Sequence, residues 1–330
     1  MNNDQIMVSV CCLVYNHEKY LRQCLDGFVA QKTNFKFEVL IHDDASTDSS
    51  PEIIREYEEK YPDMIKPIYQ TENQYSKGVK IGWVYQYPRA QGKYIALCEG
   101  DDYWTDEYKL QKQFDALEKN PEAVFCAHRV ICVTEDGKKL DESIISEPDQ
   151  SCVLSSEELL HLLIEEAAYI FHTTSLFWKS DITKKICNNL PRFIQDAPVG
   201  DVPLMIFLSS QGECVFLDEA MSCYRLNSMG SWSNRVRKND YANLCRGRIV
   251  MWSRINDYFE NKYDRSIKAN ISHCEYLSFL WSNDYRNALQ KKYRVWFNKL
   301  STKERIYIFT AAKLPIVIKV YNQWRHRNAT

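Results

Sequence analysis

Three carboxylates fall within four residues at Glu99-Gly100-Asp101-Asp102, and Tyr103-Trp104 follow at once. The run before them, Lys93 to Cys98, is apolar enough for a buried strand. Negative charge gathered where a buried strand ends is costly unless a cation or water offsets it. Hard oxygen ligands of this kind suit Mg²⁺ or Mn²⁺, ions that also bind phosphate oxygens. The chemistry this predicts is a divalent cation holding a phosphorylated substrate at the mouth of a sheet.

Such a site needs elements that bring distant residues to one rim. Ile6 to Val14 is a Val-rich apolar run and reads as a buried strand, followed by a helix with Tyr20, Leu21, Cys24, Leu25 and Phe28 on one face and Asn16 as its expected N-cap. Phe37 to Ile41 is a second strand, ending at His42-Asp43-Asp44. The polar turn Ala45 to Ser50 leads to Pro51 and Glu52, which suit a helix start. Met64–Tyr69 and Tyr94–Cys98 read as further strands. This alternation predicts an α/β fold with a mostly parallel sheet flanked by helices, where ligands bind beyond the carboxyl ends of the strands. Asn16, Asp43-Asp44 and the acidic run all fall at such ends. Farther on, Ala123–Val133 reads as a strand, residues 169–178 as strand-like, Val202–Leu208 as a helix and Cys214–Leu217 as a last short strand.

Neither G-x-G-x-x-G after the first strand nor G-x-x-x-x-G-K-[ST] anywhere occurs, so dinucleotide and P-loop chemistry lose their support. The 12 cysteines include no C-x-x-C pair and several sit in apolar runs, which predicts free thiols in a reducing compartment. The first residues lack a signal peptide's basic and apolar regions, and no 18-residue apolar run exists, so a cytoplasmic protein is expected. A net charge of −2 points to no partner class, and no nucleic-acid partner is expected.

Together, Val8-Ser9-Val10 through Tyr15-Asn16, Asp43-Asp44-Ala45-Ser46-Thr47-Asp48, and Gly92-Lys93-Tyr94-Ile95 through Glu99-Gly100-Asp101-Asp102 resemble the family 2 glycosyltransferases. Gly100 to Asp106 followed by Lys109-Leu110-Gln111-Lys112-Gln113 resembles a bacterial subgroup especially closely. The resemblance covers roughly residues 6–233. It implies a GT-A fold and inverting transfer from a nucleoside diphosphate sugar, with UDP as the expected nucleotide, to a saccharide or lipid-linked saccharide in cell-surface polysaccharide or lipopolysaccharide assembly. It implies Asp101 as the ligand of Mn²⁺ or Mg²⁺, with Glu99 where the family more usually has Asp. Asp43, Asp44, Glu99 and Tyr15 become donor nucleotide contacts, with Arg225 a phosphate contact. Asp201, in Gly200-Asp201-Val202-Pro203-Leu204, becomes the catalytic base. Position suggests His172 and Thr173 for the acceptor pocket, although a lone His among apolar residues also suits a core. Asn227 stands where relatives often carry His. A scaffold protein on a transferase fold and a sugar nucleotidyltransferase are the alternatives. The latter normally has a Gly-rich basic loop after its first strand, which Val14 to Glu18 lacks.

The expected boundaries are a catalytic domain over 1–235 and a helical region over 236–330. From Trp281 onward the chain has eleven Lys/Arg against two Asp/Glu, interleaved with apolar residues. That mixture suits peripheral contact with the inner face of a membrane, and equally a buried helical pair with a solvated basic face.

Overall fold

The protein is described by a computed structural model covering residues 5–314 other than 142, 227 and 229–239. Asn227 and the segment from residue 315 onward therefore lie outside the described residues. The chain divides into two compact units, the first comprising 1–195 and 199–235 and the second 196–198 and 236–330.

The first unit is built on a nine-stranded sheet. Its strands are β1 (Ile6–Val14), β2 (Lys36–Asp43), β3 (Ile65–Tyr69), β4 (Tyr94–Leu97), β5 (Tyr103–Trp104), β6 (Ala123–Val133), β7 (Cys152–Leu154), β8 (Phe177–Lys179) and β9 (Glu213–Arg225). The order is β3-β2-β1-β4-β8-β6-β9-β5, with β7 also on β9. β1 runs parallel to β2 and β4, and β2 to β3. β8 is antiparallel to β4 and β6, and β5 and β7 to β9.

Helices α1 (Leu21–Val29), α2 (Ser50–Lys60) and α3 (Lys109–Lys119) pack on one face. Val8, Val10, Cys12 and Val14 alternate along β1 to meet Leu21, Leu25, Phe28, Ile54, Leu110 and Phe114 in one continuous core. Each such side chain contributes ~1.5–3 kcal/mol when fully buried. The opposite face of β1 carries a polar knot. Ser9 Oγ donates to Glu38 Oε1 at 2.6 Å and accepts from the Gly92 amide at 2.9 Å. A Cβ on Gly92 would lie 2.5 Å from the Ser9 nitrogen, so only glycine lets this segment approach β1.

Three expectations needed correction. Asn16 does not cap α1, which starts at Leu21 behind Tyr20; it adopts φ 57° and ties two loops instead. Residues 169–178 are not one strand, because Thr173–Ser175 form a 3₁₀ turn and only Phe177–Lys179 joins the sheet. The last strand is thirteen residues long rather than four, and its register slips where it passes Asp218 and Glu219.

The second unit contains a pair of eighteen-residue helices, Tyr241–Tyr258 and Asp264–Trp281, which pack on each other. Beyond them, Tyr276, Ala288 and Tyr293 form a small core. A capping box of Ser301 and Glu304 opens the helix Thr302–Lys313. Among the described residues no helix is long and apolar enough to cross a membrane. All twelve cysteines are free thiols.

Glu147 fastens the surface segment after β6. Its carboxylate accepts from the Val130 amide at 2.7 Å, and Arg129 lies 3.4 Å away. Burial outweighs both and pushes the carboxyl up to about 7 from 4.5. Because the folded value is raised, the stabilisation is full below about pH 4.5 and is lost as pH rises through about 7. We expect the wild type to lose ~2 kcal/mol relative to Glu147→Gln across that window. Urea midpoints of the two proteins that stay parallel with pH would contradict this.

Candidate functional site

Three strand ends meet at one rim. Val14 pairs with Asp43, and the Gly100 amide donates to the Leu13 carbonyl at 2.9 Å, so the segment after β4 runs on beside β1. The loops after β1 and β2 are laced together. Asn16 Oδ1 accepts from the Thr47 amide, Ser46 Oγ from the Asn16 amide, Ser50 Oγ from the His17 amide and Asp48 from the Glu18 amide, all within 3.0 Å. Ala45, in the same lacing, is held at φ 61°, a conformation costly for any residue but glycine or asparagine.

The two neighbouring acids of β2 have different roles. Asp44 is spent inside the protein: its carboxylate accepts from the amides of Gln74 at 2.7 Å and Tyr75 at 3.1 Å. Asp43 is 2% exposed, yet Oδ1 has no partner among the described residues, while Oδ2 receives the Ser46 amide at 3.3 Å. Burial pushes its carboxyl up. An orphaned buried acceptor is expensive, and it fits a ligand N–H. Tyr15 is half-buried at the end of β1.

The acidic turn is clamped from β9. The backbone amide of Arg225 donates to Asp102 Oδ1 at 2.8 Å, and its Nε to the Asp101 carbonyl at 3.0 Å. The rest of its guanidinium reaches the Glu135 carbonyl and Gln23, between the rings of Tyr20 and Tyr103. Arg225 is 4% exposed. These bonds go to the turn and its surroundings, which gives Arg225 a structural part beside the phosphate contact expected of it. Gly100 fits because a Cβ there would lie 2.8 Å from His17 Nδ1 and 3.0 Å from Val14. Asp101 keeps a partly exposed carboxylate, with Ser228 Oγ donating to Oδ2 at 2.7 Å and His17 Nε2 3.9 Å from Oδ1. Burial raises Asp102 well above the carboxylate range, and Asp101 and Glu99 add to it. Glu99 accepts from Thr173 Oγ1 at 2.8 Å and is pushed up to about 7, by burial first and then by the charges of Asp101 and Asp201.

Asp201 approaches from another direction. It is the first residue of helix α4 (Asp201–Gln211) and accepts from the Val202 amide at 2.8 Å. Its charge acts on Glu99, on the Tyr169 hydroxyl and on the Tyr224 hydroxyl. Burial first raises Tyr224, and Asp102, Asp101, Asp201 and Glu99 raise it further. Asp101 and Asp201, a hundred residues apart in sequence, therefore act on the same hydroxyl. His172 stacks on Tyr224 with centroids 3.7 Å apart, accepts from the Thr174 amide at Nδ1 and is pushed down to about 3 by burial. The neutral ring of His172 thus supports Tyr224, and Thr173 donates its hydroxyl to Glu99.

Among the described residues no three His, Cys, Asp or Glu side chains form a ready-made metal cage. The carboxylates that could hold a metal here are Asp101 and, two residues away, Glu99. Mg²⁺ is commonly bound by one or two carboxylates while substrate phosphates and water complete its shell, and this pair fits that pattern.

Sequence reasoning passed over Tyr169, Tyr224, His17 and Ser228. Tyr224 had one available signal, its place beside Arg225 on a strand whose alternation sends the two side chains to opposite faces. The lysine-glutamine motif is structural. Lys109 is fully buried, its amine pushed down to about 7 by burial and donating to Gln113, which in turn donates to the Ser175 carbonyl. That chain supports the turn bearing Thr173.

The sequence model of the family described as Glycosyl transferase family 2 matches residues 9–184. An uncharacterized protein of Mycobacterium tuberculosis is 37% identical over 229 residues, 68% of this chain and 60% of that protein. The chain thus spans less than two-thirds of that relative's length. The fold is that of the GT-A glycosyltransferases. It is similar to residues 1–349 of S. aureus TarS in complex with UDP, with TM-score 0.55 and 15% identity, covering 91% of this chain and 77% of that one. It is also similar to the mannosyltransferase PcManGT of Pyrobaculum calidifontis in complex with GDP-Man and Mn²⁺, with TM-score 0.55 and 16% identity, covering 93% and 86%. Identities this low speak for the fold alone.

A clamp and a phosphate ligand behave differently on substitution. Lysine cannot reproduce the forked contacts of Arg225. Arg225→Lys is expected to lower folding stability by roughly 2–4 kcal/mol without any ligand present, as measured by urea unfolding. Unchanged stability with weakened UDP binding would return Arg225 to the donor.

Proposed function

Because this chain belongs to Glycosyl transferase family 2, we propose that it moves one sugar, with inversion, from a UDP-sugar to an acceptor hydroxyl on a saccharide or lipid-linked saccharide. The observation that carries this proposal is the shared electrostatic neighbourhood of the β4 turn and the start of α4, where Asp101 and Asp201 both act on Tyr224 and on Glu99. Two carboxylates that act on one tyrosine hydroxyl support a diphosphate site beside a carboxylate able to take a proton.

In the proposed reaction, the Asp201 carboxylate accepts the proton of the acceptor hydroxyl while that oxygen attacks the anomeric carbon. The bond from that carbon to the phosphate oxygen breaks, and the nucleoside diphosphate leaves with the bonding electrons. Asp43 offers its unpartnered Oδ1 to an N–H of the base, and Tyr15 lies beside it as a surface for the ring. Asp44 contributes from behind by fixing the 74–75 backbone. Asp101, with Glu99, would hold Mn²⁺ or Mg²⁺, which supplies positive charge to the departing diphosphate. Direct displacement needs no nucleophilic Ser or Cys.

Asp201→Asn should retain UDP-sugar affinity and lose ~10²–10⁴-fold in transfer rate. Full turnover by this variant would remove Asp201 from the base role. Asp101→Ala should abolish the Mn²⁺-dependent part of UDP binding in calorimetry while melting like the wild type. Identical UDP affinity in Mn²⁺ for both proteins would reject the ligand assignment.

A further inference from the structure

Charge is distributed unequally along this chain. Residues 281–330 hold eleven of the 42 Lys and Arg but only two of the 44 Asp and Glu, so a near-neutral protein carries a strongly basic end. Along the described part of this segment cations alternate in sequence with exposed apolar side chains. On the helix Thr302–Lys313, Ile308, Ala311 and Ala312 face inward, whereas Ile306 is 62% and Phe309 54% exposed. Phe297 joins these two, with Thr302, Arg305 and Thr310, in lining an open groove of about 330 Å³. Leu314, just past the helix, is 56% exposed.

The cations beside this groove lack acidic partners. Among the described residues Arg294, Lys299, Lys303, Arg305 and Lys313 make no ion pair, whereas Lys32, Lys93, Lys112 and Arg129 in the first unit are all paired. Arg305 lines the groove with a single long bond, Nη2 to Thr302 Oγ1 at 3.4 Å, and its Nε has no acceptor. Apolar side chains exposed to water beside Arg305, on a helix that also carries the unpaired Lys303 and Lys313, match the boundary of an anionic bilayer, where acyl chains lie beneath phosphates. A soluble protein partner would satisfy the apolar part without needing so one-sided a charge.

We propose that this face docks on the surface of an anionic phospholipid bilayer, with Ile306 and Phe309 entering the acyl boundary and the Arg305 and lysine side chains meeting phosphates. Docking is peripheral, with the helix lying in the interface plane. It is independent of the transfer chemistry.

The full chain is tested by flotation with vesicles of phosphatidylcholine alone and of phosphatidylcholine with phosphatidylglycerol. Binding is expected only to the anionic vesicles and should weaken steeply with added salt. Ile306→Asp with Phe309→Asp should weaken it roughly tenfold or more, because apolar burial is lost. Lys299→Glu with Lys303→Glu should weaken it similarly at low salt and leave UDP binding unchanged. All four positions are exposed, and matched melting temperatures verify that the variants fold. Failure to float with anionic vesicles, or flotation unaffected by the aspartate pair, overturns the proposal. So does a protein that ignores vesicles but self-associates and becomes monomeric with the aspartate pair, since a second copy would then cover the face.

Discussion

Mutual repulsion among Glu99, Asp101, Asp102 and Asp201 is the constraint around which the first unit is organised. Four carboxylates at one end of a sheet would disperse or protonate if nothing held them. The protein manages this unevenly. Asp102 is buried and raised, and it serves as an acceptor for the Arg225 amide. Glu99 is pushed up to about 7 and is tied to Thr173. Asp101 keeps an accessible carboxylate beside His17 and Ser228. The guanidinium of Arg225 does not neutralise the cluster head-on; it grips the backbone of the turn from behind, so the negative field stays available to a ligand.

That arrangement explains why parts of the structure could be foreseen and others could not. Strands β1, β2 and β6 were visible because each is a long apolar run, and the acidic turn because three carboxylates after such a run have few structural uses. The corrected elements share a cause: nonlocal contacts decided them. β9 looked short because Asp218 and Glu219 interrupt its hydropathy, yet Arg129 pairs with Asp218 and Lys112 with Glu219 at the sheet edge. Residues 173–175 look strand-like in isolation, but Gln113 and Glu99 draw them into a turn. Sequence alone offered Arg225 only a phosphate contact, because nothing nearby in the chain announces Gln23 or Glu135 as its partners. Asn16 reads as a cap by type; its left-handed backbone becomes favourable only because Thr47 is there to donate to it.

The second unit has a different logic. Its described helices carry no group that the proposed transfer uses, and Arg294, Lys299, Lys303, Arg305 and Lys313 stand without acids although Arg254, Lys268 and Lys292 of the same unit are paired. A domain that only completed a core would gain by pairing those charges, as the first unit does at Lys93 and Glu118. The first unit is net acidic and the second net basic and partly apolar, so the proposed transfer and the proposed docking fall to different parts of one chain.

The lacing of residues 15–18 to 46–50 has a last consequence. Four bonds between side chains and backbone, plus the strained Ala45, turn two loops into one stiff plate beneath the rim. A stiff plate cannot reshape itself around its guest. Under the proposed function, selection among nucleobases then works like a gauge, by passing or refusing a ring according to its outline, and broadening that choice would require recutting the plate rather than loosening it.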